Sequence, residues 1–189
     1  CLWIIVFVCF LESPSGESSL HFYKFNSSVS VKDLFGEPFF ITKLVGEIRF
    51  QSTRNPTLRR STWFVKQPCS CHYKFSGNNF KPEHPGPLLK TLWKFVKTTT
   101  GENDNSVFCS FYANEKAKVG RHADDEPIFF NKNKGYKKDT TNITSISICG
   151  TRLFRITSKD QPNFQTTFRL EPLDIVKMKG KFQAEYEHE

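Results

Sequence analysis

The sequence lacks the motifs that identify several common enzyme classes. Its 189 residues contain no G-x-x-x-x-G-K-[ST] phosphate loop, no G-x-G-x-x-G dinucleotide fingerprint and no G-x-S-x-G nucleophile elbow. It also contains no internal repeat, so a solenoid or propeller is not indicated. Nothing in the sequence therefore favours a P-loop NTPase, a dinucleotide-dependent dehydrogenase or a serine hydrolase.

Cysteines are too few and too irregularly spaced for a zinc site. The closest pair among the six is Cys69 and Cys71, a C-x-C without a matching second pair. Cys109 and Cys149 lie in apolar runs and are predicted to be small core residues. We expect reduced thiols, as in a nuclear or cytoplasmic protein.

A long apolar segment is also absent. Residues 1–10 form an apolar run, but a bilayer span needs about 20 residues. The run is compatible with the core of a signal peptide, a buried strand or a mistranslated upstream segment. Because the first residue is Cys1 and residues 11–31 are rich in serine, we expect residues 1–31 to be a leader or gene-model remnant that ends in a linker. Residues 32–189 are then the folded domain.

Basic residues and phenylalanine are abundant. Lys and Arg number 27 against 19 Asp and Glu, which gives a formal net charge of +8. The 20 phenylalanines can bury a core, which argues against disorder. The charge favours an anionic partner, with nucleic acid before a membrane surface. The basic residues expected to contact phosphates are Arg59, Arg60, Lys132, Lys134, Lys137 and Lys138.

Apolar periodicity predicts helices first and strands later. Helical spacing follows Pro38 and recurs over residues 88–96. Alternation predicts strands within 61–77 and over 107–112, 144–149, 153–157, 166–170 and 175–178. This order indicates an α+β or mainly β domain with a barrel or jelly roll.

The segment from Arg121 to Pro127 carries the strongest chemical pattern. His122 and Asp124 lie two residues apart, so in a strand they share one face. A second histidine would complete the 2-His-1-carboxylate set of non-haem iron oxygenases. His188 is the candidate for that ligand, and His21, His72 and His84 are the alternatives.

Several further segments surround this pattern. They include the aromatic-x-aromatic-Ser-Gly sequence of residues 73–77 and the apolar run from Asn105 to Tyr112. Others are the H-x-D-D-E sequence of residues 122–126 and the strand-glycine-Arg-x-Phe segment of 146–155. The last is the 170–188 passage with Asp174, Met178, Gly180, Gln183, Tyr186 and His188. In order and spacing, these segments resemble the AlkB family of Fe(II)- and 2-oxoglutarate-dependent dioxygenases.

The resemblance implies a role for each matching residue. His122, Asp124 and His188 would bind Fe(II). Tyr112 would hydrogen-bond 2-oxoglutarate, with Ser110 standing where the family has asparagine. The substrate base would meet Phe75 and Tyr73, with Asp125 and Glu126 at the pocket rim.

The resemblance also implies fold, reaction and partner. We expect an α+β fold with a double-stranded β-helix (jelly-roll) core and N-terminal supporting helices. The implied reaction uses Fe(II), 2-oxoglutarate and O2 to hydroxylate N-methyl groups of alkylated nucleic-acid bases, with release of formaldehyde. The protein would be a monomer of the nucleus or cytoplasm that does not bind membranes.

Two alternatives remain: an oxygenase that acts on protein, and an inactive nucleic-acid-binding relative. Family members carry arginines after the second histidine that grip 2-oxoglutarate, whereas this sequence stops at Glu189, so we expect a C-terminal truncation. Nothing in the pattern assigns that role to Arg152, Arg155 or Arg169.

Overall fold

The strands pair into two sheets and a separate hairpin. A computed structural model describes residues 3–9, 18–24, 34–35, 39–52, 59–126, 128 and 142–189. In chain order these residues form β1 (Trp3–Cys9), β2 (Ser19–Tyr23), α1 (Phe40–Glu47), β3 (Gln51–Ser52), β4 (Arg59–Val65), β5 (Tyr73–Phe75), β6 (Asn78–Phe80), β7 (Pro82–Glu83), α2 (Pro87–Thr100), β8 (Ser106–Tyr112), β9 (Ile143–Ser147), β10 (Arg152–Ser158), β11 (Gln165–Leu170), β12 (Ile175–Lys179), α3 (Phe182–Glu185) and β13 (Tyr186–His188).

The larger sheet has the strand order β2-β12-β9-β1-β8-β4-β3, with β7 beside β4. The smaller sheet has the order β11-β10-β13, and β5 and β6 form the hairpin. Neighbouring strands are antiparallel except β4 and β7, which are parallel. The chain crosses repeatedly between the sheets, so residues distant in sequence meet at their edges.

The larger sheet separates two apolar cores. On β8, Val107, Cys109 and Phe111 belong to the core that α1 and α2 cover. Phe108 belongs to the second core, which also contains Phe154 of the smaller sheet. This division follows from the strand repeat, in which successive side chains point to opposite faces. The functional side chains described below lie on the side of the second core.

Helix α2 extends beyond the predicted residues 88–96 at both ends. Pro87 occupies the first turn, and Gly101 follows the helix in the left-handed region with φ of 73°. The side chain of Glu47 accepts hydrogen bonds from the N–H groups of Leu88 and Leu89, at 3.1 and 3.0 Å. A Cβ at Gly86 would lie 2.4 Å from that carboxyl group, so glycine permits this contact. Helix α1 thereby caps α2 and fixes it on the sheet.

The predicted helices after Pro38 and over 88–96 are present, and so are strands at the five predicted later positions. The prediction of a linker over 11–31 is wrong for residues 19–23, which form β2 on β12. Leu20 and Phe22 alternate along this strand and pack on the second core, so two apolar side chains outweigh the serine-rich composition.

The segments before residue 32 that the structure describes pair with the domain. The backbone of β1 lies between β8 and β9. The division of the chain into a leader and a domain at residue 31 stays a prediction. Across the described ranges, no helix combines the length and apolarity needed to cross a membrane.

The expectation of reduced thiols is wrong for the C-x-C pair. Cys69 and Cys71 are joined by a disulfide, with their Cα atoms 5.5 Å apart. The loop before β5 brings the two sulfurs together, which spacing alone does not reveal. Cys109 is a buried free thiol, as predicted for a core residue, and Cys149 is half-buried.

Candidate metal centre and adjoining pockets

The two outer residues of the candidate metal centre meet through their backbones. His188 ends β13, and His122 forms an isolated antiparallel bridge with it. The N–H of His122 donates to the carbonyl of His188 at 3.0 Å, and the reverse bond measures 2.7 Å. Because paired residues of antiparallel strands place their side chains on the same face, this bridge brings the two imidazoles together.

Asp124 completes a cluster of three potential ligands. Its Oδ1 lies 3.6 Å from Nε2 of His122, and its Oδ2 lies 3.4 Å from Nε2 of His188. One ligand atom from each residue lies within 4.8 Å of the other two. His188 is 2% exposed and Asp124 is 7% exposed. The cluster is therefore a compact, mostly buried set of nitrogen and oxygen donors.

The unpaired atoms of this cluster fit a cation. Oδ2 of Asp124 and both ring nitrogens of His188 are buried without a hydrogen-bond partner among the described residues. Nδ1 of His122 lies 2.8 Å from the carbonyl oxygen of Gly120, which favours the tautomer that leaves Nε2 free to bind a metal. Burial without partners costs free energy that a bound cation would offset.

The protonation states suit metal binding as well. Burial alone would raise the pKa of Asp124, but the two neighbouring imidazoles outweigh it and lower this pKa. Burial lowers the pKa of His122, although Asp124 opposes the shift. An ionised carboxylate and a neutral imidazole are the forms that ligate metals.

Gln183 holds the backbone of Asp124. Its Oε1 accepts a hydrogen bond from the N–H of Asp124 at 2.9 Å, and its Nε2 lies 3.5 Å from Sδ of Met178. Gln183 is fully buried on α3, three residues before β13. It therefore links the segment that carries Asp124 to the segment that carries His188. The family resemblance includes Gln183, but the sequence gives no sign of this bond.

A small cavity of about 70 Å³ adjoins the histidines. Tyr112, Arg152, His122 and His188 are among its lining residues. The guanidinium carbon of Arg152 lies 4.5 Å from the centroid of the Tyr112 ring. Arg152 also donates to the carbonyl oxygens of Ala117 and Asn114, at 2.6 and 3.1 Å. It thus lines the cavity and holds the loop that leads to His122.

Tyr112 and Ser110 lie on the same face of β8. Both are buried, and Ser110 and Arg59 hydrogen-bond to the hydroxyl group of Tyr112. Burial raises the pKa of Tyr112, although Arg59 and Arg152 oppose the shift. The Oγ of Ser110 also lies 3.1 Å from Oγ of Ser61. The serine in the family's asparagine position is therefore already tied to the neighbouring strand.

Phe75 and Tyr73 form an aromatic wall beside His122. The ring of Phe75 lies 5.7 Å from the His122 ring, and the guanidinium carbon of Arg59 lies 5.2 Å from the Phe75 centroid. Tyr73 stacks beside Phe75 at 6.2 Å but is only 3% exposed. Phe75 is therefore the more accessible ring beside the candidate metal centre.

Asp125 and Glu126 follow Asp124 directly and are both half-buried. Burial raises the pKa of Glu126 to about 7, Asp124 adds to the shift, and a hydrogen bond from Tyr73 opposes it. This bond ties the acidic segment to the aromatic wall. The roles of Asp125, Glu126, Phe75 and Tyr73 toward a substrate stay predictions.

The other predicted residues lie away from this cluster. The alternative ligands are not part of it: His21 contacts Ser19, His72 contacts Asn79 and His84 contacts Gln67. The guanidinium of Arg60 lies over Phe111 in the core beneath the helices. The loop that carries Lys132, Lys134, Lys137 and Lys138 lies outside the described residues.

Comparison with known proteins identifies related sequences. The family model of the 2OG-Fe(II) oxygenase superfamily matches residues 34–189. Alpha-ketoglutarate-dependent dioxygenase alkB homolog 3 of Homo sapiens is 32% identical over 139 residues, which cover 69% of this chain and 44% of that protein. The Rattus norvegicus protein of the same name is 32% identical over 142 residues, covering 70% and 44%. The chain thus spans less than half the length of these curated relatives.

Proposed function

Since this chain belongs to the 2OG-Fe(II) oxygenase superfamily and is AlkB-like, we propose that it catalyses oxidative demethylation of alkylated nucleic-acid bases. The reaction would use Fe(II), 2-oxoglutarate and O2. We also propose that the two sheets are the halves of a double-stranded β-helix, since the candidate metal centre lies where they meet.

The observation that carries this proposal is the cluster of His122, Asp124 and His188. It supplies two imidazoles and one carboxylate within 4.8 Å, the donor set of non-haem iron oxygenases. Fe(II) held there, with O2 as oxidant and 2-oxoglutarate consumed to succinate and CO2, would supply the chemistry that converts an N-methyl group to a hydroxymethyl group, which leaves as formaldehyde. The protein's own part is to bind, orient and desolvate the reactants.

Tyr112 and Arg152 are proposed to bind the co-substrate 2-oxoglutarate. Both line the small cavity beside His122 and His188, where a phenol and a guanidinium suit an oxygen-rich dianion. Ser110 would act through Tyr112, to which it is hydrogen-bonded. Tyr112 and Ser110 are buried and Arg152 is half-buried, which strengthens their electrostatic interactions with a bound anion.

The aromatic wall supports a nucleobase as substrate. Phe75 offers a ring face beside His122, and Arg59 lies next to it. A flipped-out base is commonly held by stacking, and a guanidinium can contact its phosphate. Asp125 and Glu126 would contact the polar edges of the base. The net charge of +8 agrees with a polyanionic substrate.

Formaldehyde and succinate release tests the proposal. The protein, expressed from its complete reading frame, is incubated with Fe(II), 2-oxoglutarate and N-methylated oligonucleotides. We expect both products with wild type, and their loss in His122→Ala and Asp124→Ala. His21→Ala is the matched control, because His21 is exposed on β2 and outside the cluster.

Three outcomes would contradict the proposal. Turnover that persists in both ligand variants would show that the cluster is not the metal centre. Succinate release with methylated peptides but not oligonucleotides would identify a protein oxygenase. Oligonucleotide binding without turnover of any methylated base would identify an inactive binding module.

A further inference from the structure

A second, larger cavity lies at the other end of β4. Its volume is about 440 Å³, within the range of small-molecule and cofactor sites. Val65, at the end of β4, lines it, whereas Arg59, at the start of β4, lies opposite Tyr112. Six residue steps of strand separate these two positions by roughly 20 Å. The residues that line this cavity are Val65, Lys66, Gln67, His84, Pro85, Lys90, Trp93, Lys94 and Lys97.

Lysines dominate the polar part of this lining. Four of the nine lining residues are lysine, and none is acidic. Lys90, Lys94 and Lys97 recur at i, i+4 and i+7, so they share one face of α2 over about 10 Å. Like charges at this spacing repel one another. An anion in the cavity would relieve that repulsion, which gives the site its charge complementarity.

Lys66 is held at the cavity wall. Its ammonium lies 5.0 Å from the centroid of the Trp93 ring and donates to the carbonyl oxygen of Asp104. Burial lowers the pKa of Lys66, Asp104 opposes the shift and Lys97 adds to it. This position brings a fourth lysine, which directly follows β4, toward the three lysines of α2.

Trp93 adds an observation independent of charge. The residue is only 6% exposed, and its Nε1 is buried without a hydrogen-bond partner among the described residues. Because Nε1 is closed off from solvent, a ligand in the cavity would contact the ring of Trp93 and not its N–H. This ring, with Val65 and Pro85, gives the cavity an apolar surface that suits a sugar or base.

We propose that this lysine-lined cavity binds the phosphate backbone of single-stranded nucleic acid. Lys90 and Lys94 contact phosphates, and the apolar surface of Trp93, Val65 and Pro85 contacts a sugar or base of the same strand. The choice of nucleic acid over other polyanions rests on the proposed function. The cavity itself does not use the metal centre, so its binding is measurable without iron.

Fluorescence anisotropy with a labelled, unmethylated 15-nucleotide strand tests the proposal across a salt series. Each lost contact with a phosphate of a single strand lowers the magnitude of the slope of log K against log salt by ~0.7. Lys90→Gln/Lys94→Gln loses two such contacts, so its slope should be smaller by about 1.4. If wild type and the double variant bind the strand equally at 1 M salt, this difference in slope makes the double variant bind about 25-fold more weakly at 0.1 M salt. Helix propensity is similar for Gln and Lys, so α2 should persist.

Lys43→Gln/Lys181→Gln is the matched control. It removes the same charge from two exposed positions outside the cavity and should leave the slope close to that of wild type. Circular dichroism confirms that each variant is folded.

Several results would overturn the proposal. Equal losses in the two double-lysine variants would show only general attraction by net charge. An unlabelled poly-glutamate peptide that competes as well as an unlabelled oligonucleotide would assign the cavity to acidic polypeptides. Wild-type binding by a folded Lys90→Gln/Lys94→Gln would show that the strand does not contact the cavity.

Demethylation assays separate this proposal from the proposed function. If Lys90→Gln/Lys94→Gln binds like wild type while turnover still depends on His122, the cavity proposal fails alone. If the double variant loses binding as expected but wild type has no turnover, the demethylation proposal fails alone.

Discussion

Replacement of Gln183 tests whether the candidate metal centre depends on a hydrogen bond to its carboxylate residue. Gln183→Met keeps the length and approximate volume of the side chain but removes the oxygen that accepts from the N–H of Asp124. Because Gln183 is fully buried, water cannot replace that oxygen. An unsatisfied buried N–H costs ~1–3 kcal/mol, so we expect the free energy of unfolding to fall by that amount.

Metal affinity should fall as well. With its backbone released, Asp124 would no longer be fixed between His122 and His188. Loss of a group that orients a metal ligand commonly weakens binding about 10- to 100-fold. Urea unfolding followed by circular dichroism measures the first effect, and a Co(II) titration followed by visible absorption measures the second.

The control is Gln165→Met, the same substitution at an exposed position on β11. It should change the free energy of unfolding by less than about 0.5 kcal/mol. Equal stabilities of the two variants would refute the cost assigned to the buried N–H. Lower stability of Gln183→Met with unchanged Co(II) affinity would show that Gln183 supports the fold without positioning Asp124.

Three further predictions concern other parts of the molecule. Burial, with a smaller contribution from Glu102, raises the pKa of fully buried Asp104 to about 8. The folded state therefore keeps this proton after the unfolded chain has lost it, and the free energy of unfolding should fall as pH rises from about 4 to about 8. Asp104→Asn should reduce that dependence in urea titrations between pH 5 and 8 without removing the part due to Glu126, whose pKa is also raised, and an unchanged slope would contradict the assignment. Arg152→Met should speed hydrogen exchange in the loop of residues 113–120, because two backbone carbonyls lose their donor; unchanged protection there would refute this role. Leu92→Ala should lower the free energy of unfolding by ~2–5 kcal/mol, because Leu92 is fully buried in the core beneath α2. Urea unfolding measures this loss, and a loss below about 1 kcal/mol would contradict the position of Leu92 in that core.

Local patterns were sufficient to predict most of the secondary structure. The apolar repeat of α2, with Leu89, Leu92 and Val96 buried, is a helical periodicity that the sequence displays directly. Pro87 and Gly101 mark the ends of this helix by their backbone preferences. The spacing of His122 and Asp124 likewise predicts a pair of ligands, because the pattern lies within three consecutive residues.

The sequence alone did not reveal which distant groups meet. From spacing, His21, His72 and His84 are alternatives to His188, which lies 64 residues after Asp124. The bridge between His122 and His188 brings His188 to the site, and the fold leaves the other three histidines elsewhere.

Local patterns along the chain were enough to predict α1, α2, most strands, the basic charge and the H-x-D pair, because each depends on residues close together in the sequence. Only the tertiary structure revealed the hydrogen bond from Asp124 to Gln183, the disulfide partner of Cys69 and the grouping of Lys66 with the lysines of α2. Such contacts depend on strand pairing and loop paths, which bring together side chains that no local repeat relates.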